Sequence, residues 1–228
     1  MSGSRTARST ARAAIIDVRY VVSIVLVATA YIVCAEIGFS MAFATKQVTA
    51  VWPPTGIAVA CLLIFGYRIS PGVFLGAFVS NALSHEPLLT AAAIAVGNTV
   101  GPVVGVYLLH RVGRFDPALE RISDVIAFVL LGSAAGMTVT ATNGTLNLAL
   151  SGIIPWSAFA TTWRLWWTGD AMGVLLFAPL ILTWLTPAAR TRLDWTSVAE
   201  AATLGAALVV VSALVFLNPH ASGYSVYP

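Results

Sequence analysis

The chain has 228 residues, of which 58% are hydrophobic and only 9% charged, with a mean hydropathy of +0.88. A water-soluble fold carries roughly 25% charged residues, so this composition excludes an ordinary soluble domain and makes lipid the solvent. The formal charge of +3 and the pI near 9.1 do not point to nucleic acid. The arginines fall in short clusters between apolar runs, which is the pattern that sets membrane topology.

Arg5, Arg8, Arg12 and Arg19 mark residues 1–20 as an arginine-rich cytoplasmic tail. Ala28-Thr29-Ala30 looks like a signal-peptide cleavage site, but the apolar run continues to about Phe43. A crossing needs roughly 20 apolar residues, so the first helix is expected to stay uncleaved. The same criterion gives seven candidate spans at residues 21–43, 56–68, 71–84, 88–109, 125–148, 163–185 and 197–217. The second and third are short and only Tyr67-Arg68-Ile69-Ser70 divides them, which leaves a re-entrant hairpin over 56–84 as the alternative. The predicted fold is all-α, a polytopic transmembrane helical bundle of about seven spans forming one domain over 21–228.

With the N-terminus cytoplasmic, the inner segments hold the four N-terminal arginines with Arg68, Arg111, Arg114, Arg121, Arg190 and Arg192. The outer loops hold Lys46, and Arg164 lies at the outer end of the sixth span. This is a positive-inside bias, and it survives a re-entrant hairpin because both ends of that unit are outside. Gly72/Gly76, Gly101/Gly105, Gly132/Gly136 and Gly169/Gly173 place small residues four apart, as tight helix packing requires. Cys34 and Cys61 sit in apolar runs and read as small buried hydrophobes.

Ionisable groups inside a span cost roughly 2.5–3.5 kcal/mol on insertion scales, so each one needs a reason. Glu36 and Asp170 are each about seven residues from the outer end of their span, roughly 10 Å deep. Asn98 is near mid-membrane, and Asn81, Asn143 and Asn147 lie near outer ends. All six belong to the outer half or its edge, opposite the arginines. Two motifs adjoin them. Trp52-Pro53-Pro54-Thr55-Gly56 starts the second span, with prolines that fix the backbone and Trp52 expected at headgroup level. Trp163-Arg164-Leu165-Trp166-Trp167-Thr168-Gly169-Asp170 puts Trp166 and Trp167 on the Asp170 face of the sixth.

Simpler explanations compete at several positions. Trp52, Trp156 and Trp163 fit an aromatic belt, and Arg164 fits a side chain reaching for the outer surface. Asn143-Gly144-Thr145 matches a glycosylation acceptor only as a pattern. His85, His110 and His220 are isolated at loop-like edges without metal-ligand spacing, so neither metal nor cofactor is expected. Asp116, Glu120 and Asp124 recur as in a solvated helix start. With no nucleophile elbow, phosphate loop or kinase histidine block, catalysis within this chain is not expected.

Several ordered blocks carry a family resemblance. They are Trp52-Pro53-Pro54-Thr55-Gly56-Ile57-Ala58, Leu62-Leu63-Ile64-Phe65-Gly66-Tyr67-Arg68, Pro71-Gly72 with Gly76-Ala77, Gly97-Asn98-Thr99, and Trp166-Trp167-Thr168-Gly169-Asp170-Ala171-Met172-Gly173 with Ala178-Pro179. From about residue 20 onward the chain resembles the bacterial membrane-associated sensor domain, the first family of the MASE-type class. The resemblance implies an input module of about eight spans in the bacterial inner membrane. Such modules are fused to a cytoplasmic histidine kinase, diguanylate cyclase or other output. It singles out Trp52, Pro53, Pro54, Asn98, Trp167 and Asp170, whereas Glu36, Asn81 and Arg164 come from their depth in the spans. Seven spans leave the C-terminus outside, and Tyr224-Ser225-Val226-Tyr227-Pro228 looks like the approach to an eighth, so a fragment of a longer receptor is expected.

The expected function is sensory input, in which a small-molecule ligand or membrane partner protein acts from the outer side and shifts helix packing. A homodimer is compatible with that role. A small-solute transporter, or its substrate-binding subunit, is the competing possibility, but its polar groups should serve both sides in turn and no inverted repeat is visible.

Overall fold

The computed structural model describes residues 3–40, 49, 51–111 and 115–185, with side chains from Val18 onward. It also describes Trp195, Val198, Ala199, Ala202, Thr203, Ala206 and Val210. The described residues contain helices and turns but no strand. The chain divides into a unit of residues 1–189 and one of 190–228. In the second, the seven described residues are helical; most of the expected 197–217 span lies outside the described residues.

The first unit contains α1 (Gly3–Ser40), α2 (Pro53–Phe65), α3 (Ser70–Leu83), α4 (Leu88–Arg111), α5 (Ile122–Ala127), α6 (Gly136–Leu150) and α7 (Phe159–Leu185). A π-helical stretch, Phe128–Ala135, joins α5 to α6 in one rod from Ile122 to Leu150. Four stretches are long and apolar enough to cross a membrane: Val18–Ser40, Leu88–Arg111, Ile122–Leu150 and Trp156–Leu185. α2 and α3, with 13 and 14 residues, reach roughly 20 Å each, short of a hydrocarbon layer of about 30 Å. The arginine-bearing segment before residue 21 is part of α1, and Ala28-Thr29-Ala30 lies well inside that helix.

Local sequence explains the breaks. Pro53 and Pro54 occupy the first turn of α2, where missing N–H groups cost nothing. Gly66, at φ 77°, ends α2 in a conformation that side chains resist. A single 3₁₀ turn, Tyr67–Ile69, then leads to Pro71 at the start of α3. α2 and α3 do not close on each other as a hairpin. α2 packs mainly on α7 and α3 on α1 and α4. Residues Pro53 to Leu62 of α2 are all buried, as expected of a helix that is apolar all round. α1 is peripheral: 22% of its apolar window is buried, against 50% in α4.

The glycine stripes are the seams of the bundle. Gly101 and Gly105 of α4 face Gly136 and Gly132 across the interface with the α5–α6 rod, and a Cβ on Gly136 would stand 2.9 Å from the Gly105 Cα. Gly72 and Gly76 receive α1 at Ile24, Val27 and Tyr31. Gly173 of α7 lies against the Trp52 carbonyl and beneath Gly56 of α2. Such close approach brings backbone dipoles and dispersion contacts into range that a side chain would hold apart.

The arginine-bearing turns share one end of the bundle. The Tyr20 hydroxyl donates to the Arg68 carbonyl at 3.0 Å, and the Arg68 guanidinium lies over the Tyr20 ring. Tyr67 meets His110 at 3.0 Å, and Arg111 Nε donates to the Tyr107 hydroxyl at 2.8 Å. His110 is therefore not isolated. The acidic series also differs from expectation, because helix α5 starts only at Ile122. Asp124 is buried rather than solvated, and Arg121 grips it through Nε at 2.6 Å and Nη2 at 2.9 Å.

Candidate functional site

Asp170 sits on α7 eleven residues after Phe159, roughly 17 Å along the helix and deeper than its spacing from Trp163 suggests. It is almost wholly buried, at 1% exposure. A carboxyl group there must find partners within the protein. The Thr55 hydroxyl, in the first turn of α2, donates to Oδ1 at 2.6 Å. The Thr140 hydroxyl of α6 meets Oδ2 and also lies 2.8 Å from the Met137 carbonyl. One carboxyl group thus ties α2, α6 and α7 together. Among the described residues, no arginine, lysine or histidine forms an ion pair with it.

Backbone contacts fix the same junction. The Trp52 N–H donates to the Gly169 carbonyl at 2.8 Å, one residue before Asp170. This contact is possible because Gly169 and Gly173 leave the α7 surface bare where residues 51–53 cross it. Pro53 and Pro54 are buried at this crossing and set where α2 departs. The Trp52 ring turns inward over Gly38 and lies 4.8 Å from the Phe39 ring. At 9% exposure it is part of the core, not of an aromatic belt. Trp156, by contrast, is 60% exposed.

A small cavity opens beside Asp170, lined by Phe39, Thr49, Trp52, Asn81, Asn98, Trp166 and Asp170. It offers about 20 Å³, enough for one compact occupant and too little for an organic ligand in this conformation. Asn81 donates its Nδ2 to the Ala77 carbonyl at 2.8 Å. Asn98 directs Nδ2 to the buried Tyr31 hydroxyl at 3.3 Å, which leaves its Oδ1 buried without a protein partner. Asn143 Oδ1 and Thr145 Oγ1 are likewise buried and unpartnered along α6. The burial of Thr145 inside a helix also removes the glycosylation pattern from an accessible loop.

Four expected residues therefore converge on the cavity: Trp52, Asn81, Asn98 and Asp170. Pro53 and Pro54 hold its wall without lining it. Trp167 serves a neighbouring junction, where its indole N–H donates to the Ala134 carbonyl at 3.0 Å, within the π-helical stretch. The Ser133 hydroxyl of the same stretch reaches the Ala171 carbonyl at 3.1 Å. A π-helix shifts its carbonyls out of the ordinary pattern, which suits the Ala134 carbonyl to accept from Trp167, whereas the Ser133 contact uses a side-chain hydroxyl and a carbonyl of α7.

Two residues fall elsewhere. Glu36 occupies an exposed face of α1, and Arg164 is exposed on α7 with its Nε donating to the Ala160 carbonyl at 3.2 Å. Neither pairs with the other or with Asp170. Depth along a span was the basis for both, and depth does not say which way a helix face points. Spacing overlooked Tyr31, Phe39, Thr49, Thr55, Thr140 and Trp166 as one group. Thr55 and Trp166 did lie inside the quoted motifs; Thr140 is one hydroxyl among several in α6 and carried no signal of its own.

No curated protein and no solved structure matches the chain. The MASE1 family profile matches residues 23–222, which includes every residue named as lining the cavity. The chain belongs to the MASE1 family of membrane-associated sensor domains.

Proposed function

We propose that this sensory domain receives its signal at the Asp170 cavity and transmits it by repacking α2, α6 and α7. The supporting observation is a nearly fully buried carboxyl group whose two oxygens bond to two different helices while its third side faces a cavity. Any occupant that engages Asp170 competes with Thr55 and Thr140, so binding and helix packing share one group. A ligand shifts an equilibrium only by its difference in affinity for the two packings, and shared hydrogen bonds supply such a difference.

The setting we infer is the inner membrane of a bacterium, with the N-terminus cytoplasmic. The Tyr20, Arg68, His110 and Arg111 end then faces the cytoplasm and the cavity lies toward the outer side. The signal, a ligand or a membrane partner, passes to a cytoplasmic output such as a histidine kinase or diguanylate cyclase. Asp170→Asn in the full-length receptor tests this. Output fixed at one level, with normal membrane abundance, is the expected result. Unchanged output over the whole range of conditions that move the wild type removes Asp170 from the mechanism.

A further inference from the structure

We infer that the cavity binds a small monovalent cation, an alkali-metal ion or a compact ammonium, with Asp170 as its counter-charge. The inference rests on the sensory site proposed above and names the class of ligand it takes. Three observations carry it. First, Asp170 is a buried acid without a basic partner among the described residues; its hydroxyl contacts come from Thr55 and Thr140. Two hydroxyls soften the cost of a buried carboxylate but supply no positive charge.

Second, Asn98 is 6% exposed and lines the same cavity, with Nδ2 committed to Tyr31 and Oδ1 unpartnered. An orphaned amide oxygen beside a carboxyl group attracts a cation and repels an anion. Third, the remaining walls at Phe39, Trp52 and Trp166 are aromatic and bring no basic group to the cavity. No group of three or more histidine, cysteine or acidic side chains is present among the described residues, so the donor set is oxygen and aromatic rather than that of a transition metal. A cavity of about 20 Å³ admits a bare ion or ammonium head and excludes bulkier organic cations.

The experiment uses the full chain in detergent micelles at constant ionic strength. Sodium, potassium, ammonium or methylammonium chloride replaces N-methylglucamine chloride, whose cation is too large for the cavity. Tryptophan emission and unfolding temperature are both recorded, since Trp52 and Trp166 line the site and a bound ion stabilises the state that binds it. The expected result is a saturable change in both readings for at least one small cation, with the metal-ion and ammonium arms telling the two sources apart. In Asp170→Asn the apparent affinity should fall by about tenfold or more, as losing a charge-assisted contact implies. Asn98→Ala, which keeps the carboxyl group, should weaken binding several-fold and covers the case in which Asp170→Asn does not fold.

Identical titrations in all five salts would overturn the inference. So would a cation effect of equal size in the wild type and both variants. The two proposals fail separately. Saturable binding with a receptor output indifferent to Asp170 keeps the ion site and removes the sensory role. Output that depends on Asp170 without any ion response does the reverse.

Discussion

The two ends of the bundle use similar side chains to opposite effect. At the arginine end, Tyr20, Tyr67, Tyr107, Arg68, Arg111 and His110 make hydrogen bonds and ring contacts in exposed positions. Toward the other end, and near the middle of α4 and α7, Thr55, Thr140, Tyr31, Asn98 and Asp170 make theirs buried. Water or lipid headgroups can replace any contact of the first kind. Nothing nearby replaces one of the second, so its loss leaves a stranded polar group. The contacts of the first end are exchangeable with its surroundings, while those of the second couple helices to one another.

That contrast breaks most severely at Gly173→Val. A side chain there must displace the Trp52 carbonyl, and the α2–α7 seam cannot open without uncovering Asp170. A cost of about 3 kcal/mol or more is expected, seen as loss of monodisperse protein in detergent by size-exclusion chromatography. Thr55→Val and Thr140→Val come next, at about 1–3 kcal/mol each in unfolding titrations. Because both hydroxyls meet one carboxyl group, the double variant should depart from the sum of the singles. Additive costs would mean that Asp170 does not couple α2 to α6.

Trp167→Phe removes one hydrogen bond to the π-helical stretch and keeps most of the ring packing, so about 0.5–1.5 kcal/mol is expected from the same titration. Tyr67→Phe gives the smallest effect, under about 1 kcal/mol, since its contact with His110 is exposed. A larger cost at Tyr67 than at Thr55 would erase the distinction between the two ends.

Much of the bundle was legible because lipid imposes simple rules. Apolar runs marked the long helices, proline and Gly66 marked breaks, and glycines four apart marked the seams that α4, α6 and α7 use. What spacing cannot give is rotation about a helix axis. Glu36 and Asp170 were equal by depth, yet one faces outward and the other inward. Trp52 resembled an interfacial anchor because tryptophan favours interfaces, but the bare surface of Gly169 and Gly173 draws its backbone, and then its ring, inside. α2 and α3 were legible as short apolar segments, while their separate packing depends on partners distant in the chain, α7 for the first and α1 and α4 for the second. The π-helical stretch had no visible mark, since its residues would also suit an ordinary helix.

The most direct test compares the two ends in one assay of the full-length receptor. Asp170→Asn and Tyr67→Phe are brought to matched membrane abundance, and output is followed across the conditions that modulate the wild type. The expected result is that Asp170→Asn holds the output at one level while Tyr67→Phe tracks the wild type. Wild-type modulation in Asp170→Asn, or loss of modulation only in Tyr67→Phe, would contradict the assignment of signal reception to the buried cavity.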